Sequence, residues 1–326
     1  MNMQKFELKI RGVSLIELLI AMVIGSILLI GALTMFQQSR AAYRMNDMLS
    51  RIQENGRFAM NVIEPDVRHA NFWGLQNTAL LVNGRRGQPG ELAPIGGDCS
   101  DRSYIDLDVS IEGANGTQAP YGACIPAGNH QPGSDVLVSR HASANPVAVL
   151  NPGTLHLISD RNRGALFVGN VVPGGYAAPP VAQTFAISAN NYYVSPNSSL
   201  GNGIPSLRRM GLLGGGPTIQ DEEIIPGVED FQVRLVVDTT GDGVVNRYVN
   251  TDNGILNPAS PQFIAAAQVD SVRVWLRLRA LRPEVGFVNN GVYTYADTNF
   301  VAPGDGFHRI VVSKTIRLRN CQPGTC

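Results

Sequence analysis

The sequence predicts an α+β fold: one long N-terminal helix, transmembrane in its first half, packed on a β-rich C-terminal body with an antiparallel sheet. Three observations predict it. Residues 13–36, VSLIELLIAMVIGSILLIGALTMF, form an apolar run that carries a single charge. The residues that follow repeat small and apolar side chains at helical spacing. Beyond about residue 75 the chain changes to short alternating segments between turn residues, with 35 Gly, 20 Pro and only 7% aromatic residues overall.

The N-terminus comes first. Residues 1–12, MNMQKFELKIRG, set Lys5, Lys9 and Arg11 against Glu7. The 24 residues of the apolar run reach about 36 Å as a helix, enough for a hydrocarbon core of about 30 Å. No Ala-x-Ala site follows Phe36, so the run is expected to stay attached as an anchor. Glu17 inside it would cost about 2.5 kcal/mol or more as a lone carboxylate in hydrocarbon. A cut after Gly12 supplies a partner. It frees a positively charged amine on Val13, one helical turn from Glu17, and that amine or a neighbour's can neutralise the carboxylate.

From 37 onward, Met45, Leu49, Ile52, Gly56, Ala59 and Ile63 recur at alternating steps of four and three, with Arg40, Arg44, Asp47, Arg51 and Glu54 on other faces. Pro65 reads as the stop, so one helix is expected over about 14–63. The chain then divides into a leader (1–12), a transmembrane part (13–36), an amphipathic half (37–65) and a body (66–326). The stripe is expected to pack on the chain's own sheet, with a coiled-coil seam as the alternative.

In the body, YIDLDVSI, DVLVSRHA, TLHLISD, ALFVGN, FAISANNYYV, DFQVRLVVD, VVNRYV, VDSVRVWLRLRAL and HRIVVSKTIRLR read as strands. TTGDG between two of them predicts a hairpin over 230–249. Val272, Val274, Leu276 and Leu278 alternate with Arg273, Trp275, Arg277 and Arg279, which predicts a mid-sheet strand with one core face and one mainly polar face. The Gly- and Pro-rich stretches 83–100, 112–134 and 196–220 read as surface loops.

Charge and motif narrow the function. Lys plus Arg and Asp plus Glu stand at 26 each, so no field is present to gather nucleic acid. Nucleophile elbow, phosphate loop, HExxH and dinucleotide fingerprint are all missing, and GLLGGGP at 211–217 fits none of them, so no enzyme is expected. One ion motif stands out. In DTTGDGVVN, Asp238, Thr240, Asp242, Val244 and Asn246 fall at the first, third, fifth, seventh and ninth places of an EF-hand-like calcium loop. Val249 stands where the bidentate Glu would be, so calcium and a plain hairpin turn are both open.

The segment RGVSLIELLIAM resembles the class III prepilin signal shared by type IV pilins and the pseudopilins of type II secretion. The resemblance implies cleavage by prepilin peptidase between Gly12 and Val13, N-methylation of Val13, and a role for Glu17 in docking the subunit into a filament. Val13 stands for the family's usual Phe and Ser14 for its usual Thr. Further along, ENGRFAMNVIEPDVRHANFWG, GSDVLVSR, GVEDFQVRLVVDTTGDGVVNRYV and VDSVRVWLRLRALRP resemble segments spread along PilW-type minor pilins, with related segments in J-type pseudopilins. A subunit of that kind would help initiate type IV pilus assembly, and so twitching motility, in a tip or priming complex. Its partners would be other minor pilins, the major pilin and a tip adhesin. It would sit in the inner membrane as a single-pass protein with a periplasmic body, and at the pilus tip on the cell surface after assembly. A J-type pseudopilin and a filament-borne adhesive module are the alternatives. Processing of this type leaves the body outside the inner membrane, where disulfides persist. Of the three possible connectivities of the four cysteines, Cys99 with Cys124 and Cys321 with Cys326 pair near neighbours across turn-rich stretches.

Overall fold

The computed structural model describes residues 12–92, 99, 104–126, 128–212, 218–256 and 260–320. They fall into two compact units, Met1–Arg51 and Ile52–Cys326, and helix α1 (Leu15–His69) contributes to both.

In the first unit α1 is a single apolar-to-polar helix with every residue from 12 to 47 exposed. In the second, the helix buries Ile52, Gly56, Ala59, Met60, Ile63 and Val67. The expected stripe is therefore real from Ile52 onward, while Met45 at its start is exposed. Pro65 does not stop the helix, which runs on to His69. A mid-helix proline removes one backbone hydrogen bond and crowds the preceding turn, at a cost of about 3 kcal/mol. Pro65 and Asn61, the residue whose carbonyl loses its donor, are both exposed, so water can serve that carbonyl. Burial of Val67 and the contacts of Asp66 described below hold the last turn in place.

The strands are β1 (Val82–Asn83), β2 (Ile111–Ala114), β3 (Val136–Ala142), β4 (Leu155–Ser159), β5 (Gly164–Val168), β6 (Gln183–Ser195), β7 (Ser206–Leu212) and β8 (Ile219–Pro226), followed by β9 (Val228–Asp238), β10 (Arg247–Asn250), β11 (Gln268–Arg279), β12 (Val292–Tyr295), β13 (Thr298–Val301) and β14 (Arg309–Arg317). One sheet runs β1-β5-β4-β6-β3-β2, with β7 on β6 and β8 on β7; a second runs β10-β9-β11-β14; β12 and β13 form a hairpin. Pairing is antiparallel throughout except for β1 with β5.

The long strand β6 organises the first sheet because its two ends meet different partners. Its start pairs with β4, its middle with β3 and its end with β7. In the second sheet β11 lies between β9 and β14, and Val272, Val274, Leu276 and Leu278 are all buried. The two sheets meet at the start of β3. The Asp135 carboxylate accepts the Gly116 and Val233 amides at 2.8 Å each, Ser134 Oγ accepts the Phe231 amide at 3.0 Å, and Gln232 Nε2 donates to the Gly133 carbonyl at 2.8 Å.

Two expectations are corrected here, and the mainly polar face of β11 is refined. Most of YIDLDVSI is not a strand: residues 104–110 are irregular, and only Ile111 enters β2. Tyr104, Ile105 and Leu107 are nonetheless buried, so the apolar residues that mimicked a strand pack as a folded loop. The stretch 196–220, read as a loop, contains β7 and the start of β8, and 112–114 belongs to β2. The polar face of β11 is not open to water. Arg277 and Arg309 are buried against Glu229 at 3.2 and 2.8 Å. Over them lies the β12–β13 hairpin, where Tyr295 Oη donates to Asp230 at 2.5 Å and the Phe300 ring stacks 3.6 Å from the Arg277 guanidinium.

Candidate functional site

Gly12 and Val13 lie exposed just before α1, outside any helix or strand. Ser14 is the residue preceding the first helical turn. Its amide donates to Glu17 Oε2 at 3.0 Å, and its Oγ accepts the Glu17 amide at 3.4 Å. This reciprocal pair is a capping box, which satisfies two of the amide groups that a helix start leaves without partners. The Ser-x-x-Glu spacing was present in the sequence as a signal and was passed over there for the charge argument. Glu17 thus points back toward the helix start, where the positive end of the backbone dipole favours a carboxylate, one residue from the peptide that joins Gly12 to Val13.

Beyond Glu17, α1 is, among the described residues, the one helix long and apolar enough to cross a membrane. Its apolar side chains from Leu15 to Phe36 are exposed, and among the described residues of their own unit they have nothing to bury against.

The other end of α1 is fastened by two carboxylates, Asp66 and Glu64. Asp66 accepts the Tyr192 hydroxyl and the Asn190 carboxamide from β6, and faces His141 Nε2 of β3 at 3.3 Å. Ser139 Oγ donates to the Asp66 carbonyl at 2.8 Å. Burial pushes the Asp66 carboxyl up, but the hydrogen bonds from His141, Tyr192 and Asn190 outweigh it and hold the group below the usual carboxylate range. Glu64, one turn back, pairs with Lys314 of β14 and with Arg68. Gly56 lies flat against β11 and β14: a Cβ there would sit 3.1 Å from Val312 and 3.3 Å from Leu278. Gly56 belongs to the stripe expected to pack on the sheet, whereas the anchoring roles of Asp66 and Glu64 were not assigned from the sequence. The partners of Asp66 lie 75 to 126 residues away, beyond the reach of any local pattern.

Cys99 and Cys124 are joined by a disulfide with Cα atoms 4.6 Å apart. Cys321 and Cys326 lie outside the described residues. The 239–246 connection between β9 and β10 is an Asp-capped turn. Asp238 Oδ1 accepts the Thr240 and Gly241 amides and the Thr240 hydroxyl at 2.8–3.0 Å, and Oδ2 accepts the Gly243 amide at 2.7 Å. Asp242 accepts the Val244 amide, and Asn246 Oδ1 accepts from Thr239. The oxygens that a calcium ion would need are thus acceptors for the loop's own N–H and O–H groups. Among the described residues no three His, Cys, Asp or Glu side chains converge as a metal site.

Comparison with known proteins can now be set beside this geometry. Residues 191–320 match the family described as Type IV Pilus-assembly protein W, PilW. Residues 8–33 match the prokaryotic N-terminal methylation motif. No curated protein matches. Among solved structures, a type IV-like pilin from Thermus thermophilus aligns over 83% of this chain and 96% of its own, at 12% identity and a TM-score of 0.33. The family implies pilin partners and processing by prepilin peptidase, and proteins of this kind are structural and not enzymatic. The methylation motif and the apolar helix mark the N-terminus as a membrane anchor. In its N-terminal motif and across the second half of its body, the chain is similar to PilW-type type IV minor pilins.

Proposed function

We propose that this protein helps to initiate type IV pilus assembly as a subunit of a priming complex at the filament tip, together with other minor pilins. Prepilin peptidase removes residues 1–12 and methylates the new amine of Val13. Residues 13–36 hold the subunit in the inner membrane, with the body in the periplasm. On assembly the apolar helix leaves lipid for the filament core, and the body reaches the cell surface at the tip, where it supports a tip adhesin.

The observation that carries this reading is the capped carboxylate of Glu17 at the head of an otherwise uncharged, fully exposed apolar helix. Among the described residues no cation pairs with that carboxylate, and a free amine on Val13 supplies the counter-charge in lipid. The size of the body, against the small repeat expected of a shaft subunit, also suits a cap. Deleting the gene in a strain with both pili and type II secretion tests the reading. Loss of surface pili and twitching with normal secretion is expected; lost secretion with intact pili would move the protein to the J-type pseudopilins.

A further inference from the structure

β14 closes the second sheet on one side, and among the described residues no strand pairs with its outer edge. The Ala280 amide donates to the His308 carbonyl at 2.9 Å and the Leu318 amide to the Asp270 carbonyl at 3.0 Å, and between these bonds the register from Arg279–Arg309 to Ser271–Arg317 is unbroken. In an antiparallel ladder alternate residues bond to the partner strand, and those between them turn their N–H and C=O groups the other way. Val311, Ser313, Thr315 and Arg317 therefore present theirs at the open edge, along about 20 Å of strand, and no hydrogen bond within the described residues takes them. The edge closes at Arg319, whose amide donates to the Arg68 carbonyl of α1 at 3.3 Å. Folded proteins blunt long edges with bulges, prolines or charges. The edge strand β8 is blunted in this way: it has a register shift against β7, ends in Pro226 and carries Asp221, Glu222 and Glu223. β14 has no register shift and no proline, and its one lysine, Lys314, is paired with Glu64 of α1.

We infer that this edge receives an extended, acidic segment of another protein as an added strand. Charge selects the occupant. Arg57 and Arg68 stand seven residues before Glu64 and four after it, on the helix flank that meets Lys314. On the opposite face of β14, Arg273 lies across from Thr315 with its guanidinium 4.8 Å from the Trp275 ring. Arg317 and Arg319 follow, both exposed, at the end of the strand. Against these cations stand two carboxylates, Glu64 and Asp270. Arg57, Arg273 and Arg319 make no ion pair among the described residues. A second copy pairing through the same edge would set these cations against their own equivalents, and like charges in neighbouring strands repel. An acidic strand instead gains main-chain hydrogen bonds from the edge and ion pairs from its rim, which divides affinity from specificity as strand addition does. Ser313 and Thr315, exposed on the same face as Arg273, favour Thr across from them. The inference rests on the body alone, so it and the pilus reading can fail separately.

The test uses the full chain in a zwitterionic detergent, with labelled peptides of about eight residues, long enough to cover the edge, that alternate Thr or Val with Glu or Asp. Fluorescence anisotropy reads the binding. Saturable binding of acidic peptides is expected, about tenfold or more tighter than that of the same peptides with Lys at each acidic place. Thr315→Pro removes an outward N–H that has no partner in the free body and sets a ring across the edge, a place where proline is tolerated. It should raise Kd about tenfold or more, as one or two lost hydrogen bonds do, with the circular dichroism of the fold kept. Arg57→Glu combined with Arg273→Glu reverses part of the rim without touching the backbone; the same loss is expected, and this variant decides the matter if the proline disturbs folding. Absence of saturable binding by every acidic peptide overturns the inference. So does equal binding of the Lys peptides, or an unchanged Kd in the charge-reversed variant. Full binding by a folded Thr315→Pro protein would show attraction by charge without an added strand, and overturns it as well. Self-association of the chain that is lost in Thr315→Pro, with no peptide bound, would assign the edge to a second copy instead.

Discussion

The two halves of α1 obey the same helical geometry and bury almost opposite amounts of themselves. From Leu15 to Arg51 no residue is buried; from Ile52 to His69 six are, and the helix is tied down by Asp66 and Glu64 as well. The second half is a piece of the body's core. The first half has a capping box at its head and exposed apolar side chains on all sides; in the assembly proposed above, its partners are lipid and other subunits. Substitutions should therefore separate cleanly: those after Arg51 act on the stability of the body, and those before it act on assembly.

The largest expected effect on the body is that of Asp66→Ala. It strips the partner from Tyr192, Asn190 and His141 at once, and should destabilise the body by about 4 kcal/mol. A denaturation midpoint within about 1 kcal/mol of the parent would refute the anchor role. The same carboxylate carries a pH signature. Its folded pKa is lowered, so its contribution is present above the unfolded value and is lost as pH falls through the folded one. Gly56→Leu comes next, at about 3 kcal/mol, because the added side chain has no room between α1 and Val312 and Leu278. Gly56→Leu with unchanged stability would mean that the helix is not seated on β11 and β14.

Asp135 acts in the opposite sense from Asp66. It is buried at the seam of the two sheets, close to the charges of Asp297 and Asp230, and burial pushes its carboxyl up to about 7 despite two amide hydrogen bonds. Between the ordinary carboxylate value and about 7 the folded state binds the extra proton, so stability falls as pH rises through that window, by up to about 1.4 kcal/mol per unit. Melting curves between pH 5 and 8 should show this slope, and Asp135→Asn should flatten it. A slope retained in that variant would assign it to other groups. The smallest effect on stability belongs to Glu17→Ala. The body should melt within about 0.5 kcal/mol of the parent, while pili are lost; normal piliation would remove the role given to the carboxylate. Calcium is expected to leave the melting temperature unchanged, since the loop oxygens of Asp238 and Asn246 are already engaged. A clear rise on adding calcium would show that the loop rearranges around the ion.

Much of this architecture was legible before any coordinates. The anchor follows from length and hydropathy, the helical stripe from its period, and strands such as β3, β9 and β11 from alternation with bulky apolar residues, because each of these signals is local. The hairpin of β7 and β8 was not legible. Arg208 lies opposite Glu223 on one face and Arg209 opposite Glu222 on the other, and these cross-strand pairs form ion pairs at 3.2 and 2.6 Å. Read along the chain they are only charges in a Gly- and Pro-rich stretch. Pro65 was misread for the complementary reason: its local penalty was visible, but the contacts of Val67 and Asp66 that outweigh it were not.

By itself, then, the sequence determined the class of the molecule: a basic leader, an apolar helix with one carboxylate at its head, and a turn-rich β body, all set by periods of two and 3.6 and by the cost of charge in lipid. Only the tertiary structure decided where that helix ends, how the arginine face of β11 is covered, and that Asp66 and Asp135 sit where they do. Those outcomes depend on groups brought together across scores of residues, and close packing with paired buried charges is a property of the folded contacts and not of any local stretch of chain.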